Sequence, residues 1–190
     1  MMTCYHCSPQ PGLTVLTPQK RNSFEAQNAV YLTSLKPMAL MYGIRHFEYT
    51  YCYHWKDGQP GSMYYEEYFP EALTRLYAGR SASLYICEVG NYATTKKPNE
   101  YISFQPVRVQ EEIRIPDLLA ALLEQERLGD LEIRYHHQLS EKMKAWIRRA
   151  EADTILQHGL LHTPGPFADF MRSHYPDSWA DALAASKPSE

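Results

Sequence analysis

Three short segments carry residue types that could do chemistry together. Cys4-Tyr5-His6-Cys7-Ser8 lies near the start of the chain. Val30-Tyr31-Leu32-Thr33-Ser34 follows, with Tyr42 beyond it, and Asn99-Glu100-Tyr101-Ile102 comes later. A histidine ring donates or accepts hydrogen bonds. Tyrosines offer flat apolar faces for stacking. A glutamate supplies fixed negative charge, which stabilises positive charge developing in a water-poor pocket. Singly, each has an ordinary reading: a hydrogen-bonded strand histidine, core aromatics, a solvated loop charge. In this order, His6, Tyr31 and Glu100 form a candidate three-point site.

Other constellations compete less well. Cys4 and Cys7 form a C-x2-C pair, and Cys52 with His54 could complete a tetrahedral zinc site. A C-x-H second half is unusual, and three buried free cysteines are the plainer expectation. Tyr135-His136-His137 reads as a loop-exposed histidine pair. The pairs Glu66-Glu67 and Glu111-Glu112 are adjacent, so in strands their side chains point to opposite faces. Glu111 or Glu112 is a fallback acid should Glu100 fail. No G-x-S-x-G elbow, G-x-G-x-x-G loop or P-loop occurs.

These residues need elements to position them. Residues 3–8 and 13–16 read as short strands around Pro9-Gln10-Pro11-Gly12, and 18–28 as a polar loop. Residues 29–32 are a short apolar strand. Ser34 is the expected N-cap of a helix with Pro37 in its first turn, running through Tyr42 to Gly43. Residues 46–55 alternate with period two, placing Phe47, Tyr49, Tyr51, Tyr53 and Trp55 on one face. Lys56-Asp57-Gly58 predicts a hairpin turn into a strand near 62–65. A helix over 70–77, a buried strand over 83–89 and a loop over 90–98 precede Glu100. Strands follow at 100–104 and 107–115. Helices are expected at 116–128, 140–157, 167–173 and 178–185, with a frayed tail at 186–190.

The three segments resemble the motifs of the ADP-ribosyltransferase superfamily, in its His-Tyr-Glu branch, which includes the poly(ADP-ribose) polymerases and diphtheria toxin. Tyr5-His6-Cys7-Ser8 stands where the family carries Tyr/His-Gly-Ser/Thr. Val30-Tyr31-Leu32 matches its aromatic-apolar strand end, and Tyr42 follows Tyr31 by eleven residues, as in the family. Asn99-Glu100-Tyr101-Ile102 matches the polymerase motif letter for letter. One residue departs: Cys7 stands at the family's glycine, although its backbone N–H and C=O remain.

The resemblance covers about residues 3–115. It implies an α+β fold with a split antiparallel sheet over 1–115; the mainly helical C-terminal region over 116–190, packed on that core, is read from the chain itself and lies outside the resemblance. It implies NAD as the substrate of a glycosyltransferase-type reaction. The ADP-ribose would pass to an acceptor (protein, nucleic acid or small molecule) and nicotinamide would leave. Breaking that glycosidic bond passes through an oxocarbenium-like centre. By the resemblance, Glu100 holds the nicotinamide ribose 2′-hydroxyl and supplies the field, with His6 and Tyr31 completing the catalytic set. His6 bonds the adenosine ribose, Cys7 and Ser8 meet the nicotinamide amide, and Tyr31 and Tyr42 sandwich its ring. The alternative is a catalytically silent binding module of the same fold, with the tyrosine-rich 46–55 face as its contact surface. An RNA 2′-phosphotransferase ranks lower, since only Arg21 and Arg45 lie near the site.

Bulk composition agrees with an ordinary globular chain. It has 190 residues, 44% hydrophobic and 22% charged. Fifteen tyrosines suit either strands or an aromatic-lined cleft. A net charge of −3 argues against strong nonspecific nucleic-acid binding. Neither a leader nor a membrane span is legible, so the expectation is a cytoplasmic protein without membrane partners.

Overall fold

Apolar alternation and turn residues dictate a mixed α+β chain. The computed structural model describes residues 1–19 and 28–186. In chain order its elements are β1 (Met2–Ser8), β2 (Val15–Leu16), β3 (Val30–Thr33), α1 (Lys36–Met41), β4 (Tyr51–Lys56) and β5 (Gln59–Glu66). Next come α2 (Ala72–Tyr77), β6 (Ala82–Val89), β7 (Ala93–Thr94), β8 (Glu100–Ser103), β9 (Val107–Ile115) and α3 (Leu118–Leu128). Last are β10 (Glu132–Arg134), α4 (Glu141–Gln157), α5 (Pro166–His174) and α6 (Pro176–Ala185). Among the described residues, no helix is long and apolar enough to cross a membrane.

The large sheet has the order β2-β9-β6-β1-β3-β8-β7, and its strand pairs are antiparallel. A second, three-stranded sheet has the order β10-β5-β4. The chain forms two compact units. The first comprises Met1–His46, Cys52–Tyr64 and Leu73–Glu132; the second comprises Phe47–Tyr51, Tyr65–Ala72 and Ile133–Glu190. Helix α3 therefore belongs with the first unit.

In the first unit the large sheet is apolar on both faces. Cys4, Leu16, Val30, Leu32, Tyr85, Cys87, Val89 and Val107 form the core on one side. On the other side α1 packs against β1, β3 and α3. Met38, Leu40, Met41, Leu118 and Leu122 are buried there. Burying each such Leu or Met side chain is worth roughly 1.5–3 kcal/mol over leaving it exposed. Helix α3 starts at Asp117, whose carboxylate accepts from the Ala120 N–H (2.9 Å) and the Gly79 N–H (2.8 Å). It stops at Gly129, where φ is +82°.

In the second unit Ser140 caps α4 by accepting from the Met143 N–H. Arg148 and Asp181 join α4 to α6 through paired hydrogen bonds. Phe47, Phe69, Phe167, Phe170 and His174 stack into an aromatic cluster.

Several expectations shift. Ser34 does not cap α1; Leu35 occupies that position with no side-chain bond. The Ser34 hydroxyl instead donates to Asn99 Oδ1 (3.3 Å). The strand expected over 46–55 begins at Tyr51. Its hairpin turn forms as expected, with positive φ at Asp57 and Gly58. The loop over 90–98 holds the short β7, and β10 follows α3. Residues 20–27 of the expected loop, Arg21 with them, and 187–190 of the tail lie outside the described residues.

Candidate functional site

The sheet order brings together segments that are far apart in sequence. β1, β3 and β8 are consecutive neighbours. Tyr5 lies opposite Thr33, and Thr33 lies opposite Glu100. Directly opposed residues share a face, and so do residues two apart. Tyr5, Cys7, Tyr31, Thr33 and Glu100 therefore rise from one face, the face that α1 covers. His6 belongs by alternation to the other face, with Cys4.

Backbone hydrogen bonding decides what points between β1 and β3. The Ser34 N–H donates to the Asn99 carbonyl (3.2 Å). Ser34 and Leu32 thus direct their amide groups to β8, while Thr33 and Tyr31 direct theirs to β1. Tyr5 answers Thr33, and Cys7, two residues on, directs its own N–H and C=O toward β3. The next rung would join Cys7 to Tyr31. Instead the His6 ring takes the Tyr31 carbonyl, with Nδ1 2.9 Å from that oxygen. A carbonyl only accepts, so Nδ1 carries the hydrogen and, in the neutral ring, Nε2 is the acceptor. β1 stays paired with β6 through Ser8↔Ser83 while it parts from β3.

The Cys7 side chain turns away from this gap. A Cβ placed on Gly43 would lie 2.8 Å from Cys7 Sγ and 3.1 Å from Leu118 Cδ2. Position 43 is therefore glycine because the thiol sits against it, just past α1. Burial pushes the Cys7 thiol up to about 12. It is a packing residue and no nucleophile. Ser8 is half-buried, and its Oγ accepts from the Gln10 N–H (3.2 Å) in the turn after β1.

Glu100 is buried, at 6% exposure. Its Oε1 accepts from the Thr95 hydroxyl at 2.9 Å. The turn before it is closed by backbone bonds from Thr95 N–H to the Glu100 carbonyl (3.3 Å) and from Glu100 N–H to the Lys97 carbonyl (3.3 Å). Asn99 takes a left-handed φ of +59°, which asparagine tolerates better than most residues. The buried Tyr53 donates its hydroxyl hydrogen to the Pro98 carbonyl (3.0 Å). Burial chiefly raises the Tyr53 phenol above its usual range; its bond to Asn99 opposes this, and nearby Tyr42 and Glu100 add to it. Asn99, Tyr42 and Glu100 thus each lie within electrostatic reach of Tyr53. The Tyr42 hydroxyl also meets Lys97 Nζ at 3.4 Å.

The structure therefore joins His6 to the Tyr31 backbone on adjoining strands, and sets Glu100 on β8 and Tyr42, at the end of α1, each near Tyr53 in the same unit. Two further residues belong with them, Thr95 and Tyr53. Thr95 has no sequence signal. Tyr53 has one, the aromatic alternation, whose face is the expected contact surface; Phe47 and Trp55 are exposed there, but Tyr53 is buried and the alternation does not mark the turn it holds.

The remaining candidates have other partners. Both Glu112 oxygens accept from the Gly12 N–H (3.1 Å), Oε1 also accepts from Ser83 (2.7 Å), and Arg114 pairs with it. Glu111 is exposed. Glu67 accepts from the His136 N–H (3.1 Å), and Glu66 lies 3.6 Å from Arg134. Cys4, Cys7 and Cys87 are buried and Cys52 is exposed. Among the described residues, no three His, Cys, Asp or Glu side chains gather as a metal site. No protein family, curated protein or solved structure matches this chain.

Proposed function

We propose that this chain is an NAD-dependent ADP-ribosyltransferase of the His-Tyr-Glu kind, built on that family's split antiparallel sheet. One observation carries the reading. His6, Tyr31 and Glu100 come from three separate stretches, yet they occupy three consecutive antiparallel strands, with Cys7's amide groups directed into the gap where β1 leaves β3.

Each group then has a chemical task. The Cys7 N–H donates to the nicotinamide carboxamide oxygen, and its C=O accepts from the carboxamide NH2. This uses backbone alone, so a cysteine serves where the family has glycine. Tyr31 and Tyr42 flank the nicotinamide ring. Nε2 of His6 accepts from a hydroxyl of the adenosine ribose. Glu100 accepts from the 2′-hydroxyl of the nicotinamide ribose, and its charge stabilises the oxocarbenium centre. The bond from ribose C1′ to the nicotinamide nitrogen breaks, and its electron pair leaves with nicotinamide. The acceptor's nucleophilic atom bonds to C1′ and gives up its proton, so NAD and acceptor become ADP-ribosylated acceptor, nicotinamide and a proton. Burial of Glu100 strengthens its field relative to water.

The test is incubation of the full chain with NAD, read by chromatography for free nicotinamide. Release above the buffer rate, with water or an added acceptor, supports the reading. NAD binding without release, across protein, nucleic-acid and small-molecule acceptors, turns the assignment to a silent module of this fold.

A further inference from the structure

We infer that Thr95 is a positioning residue for Glu100, holding its carboxylate in one orientation for the reaction proposed above. The inference rests on that reading. The geometry is specific. The Thr95 Oγ1 accepts from the Lys97 N–H at 3.0 Å. Its single hydrogen then has two acceptors in range, Glu100 Oε1 at 2.9 Å and the Lys97 carbonyl at 3.4 Å. The shorter bond runs to the carboxylate, and bonds to charged acceptors are about twice as strong as neutral ones. A backbone amide thus sets the hydroxyl, and the hydroxyl sets the carboxylate.

The turn that carries Thr95 is held from outside as well. Tyr53 grips Pro98, and Ser34 grips both the Asn99 side chain and its carbonyl. A carboxylate otherwise rotates about its last side-chain torsion, which is broad. Fixing one oxygen fixes where the other points. That matters when the carboxylate must both meet a ribose hydroxyl and face C1′, because small misplacement costs rate. Thr95 touches neither, so its effect passes through Glu100.

The experiment compares the full chain with Thr95→Val, which keeps shape and loses the hydroxyl, and Thr95→Ser, which keeps the hydroxyl. Nicotinamide release from NAD gives kcat and KM. Thr95→Val is expected to lower kcat about tenfold with KM within about twofold, since the lost interaction acts in the transition state. Thr95→Ser is expected to stay within about twofold of the unaltered chain. Equal losses in both variants, or unaltered kcat in Thr95→Val, would overturn the inference. A second readout does not need turnover: the carboxyl-carbon NMR line of Glu100, assigned by its loss in Glu100→Gln. It should move in Thr95→Val and hold in Thr95→Ser. A line that stays put in both refutes the contact. Absence of release from the unaltered chain defeats the parent reading instead, and the NMR comparison still decides whether Thr95 holds Glu100.

Discussion

Cys7 is the residue at which the proposed family's pattern is broken, and the structure shows where its side chain goes. A cysteine where the proposed family carries glycine needs somewhere to put its sulfur. Here that place is the hollow beside Gly43. Gly43→Ala should therefore destabilise the fold by about 1–3 kcal/mol, the usual cost of overpacking. In a Cys7→Ala background the same change should cost less, because the Sγ it strikes is gone. Thermal or urea melts of the four chains measure this. Equal costs in both backgrounds would mean that Cys7 and Gly43 do not share space. The residue pattern announced the cysteine but not its partner, because a close approach between positions 7 and 43 exists only after β1 and α1 pack together.

At the scale of elements, strands and helices bounded by Pro and Gly were legible from local chemistry. β9, α3 and α4 sit where alternation, Pro116, Gly129 and Ser140 predict them. Local chemistry failed where tertiary partners took over. Ser34 looks like a cap, yet its hydroxyl goes to Asn99 in the turn before β8. Residues 46–50 alternate like a strand, yet Glu48 carries a buried carboxyl rather than an exposed one. Burial chiefly pushes the Glu48 carboxyl up to about 8; the Tyr175 hydroxyl opposes this and Glu151 on α4 adds to it. Tyr65 on β5 is a further titratable group close by. Burial likewise pushes Glu151 up to about 6.

A raised carboxyl value means that the folded chain keeps a proton the unfolded chain has released. Stability from Glu48 is thus fully present below the ordinary value of about 4.3 and is lost as pH rises toward about 8. Glu48→Gln should melt higher than the unaltered chain at pH 9 and close to it at pH 4, as followed by circular dichroism. A constant difference at both pH values would show that Glu48 is not buried as an acid.

For the whole molecule, chain order and compact units do not coincide. The sequence suggests a β-rich part to residue 115 and helices after it. The first unit nevertheless includes α3, with Leu118 and Leu122 fully buried and the Leu118 N–H donating to the Arg80 carbonyl (2.8 Å). The second unit borrows 47–51 and 65–72 from the middle of the chain. A fragment ending at 115 removes α3 from its own unit. It should show no cooperative melt, whereas the full chain should; a sharp transition in the fragment would contradict the division described here.

Of the candidate site, the sequence motifs do place His6, Tyr31 and Glu100 on consecutive strands, with His6 on the opposite face from the other two. The site was not legible at the level of its supports. Thr95 bonds Glu100 itself and Tyr53 bonds the turn before it, through hydrogen bonds that no spacing rule encodes.

The Glu100 carboxylate is the charge on which the proposed reaction depends, and removing it is the most direct measurement. Steady-state release of nicotinamide from NAD should be compared between the full chain and Glu100→Gln. A charge used chiefly in the transition state predicts a fall in kcat of about a hundredfold or more, with KM changed by no more than about threefold. Equal kcat in the two chains would contradict it.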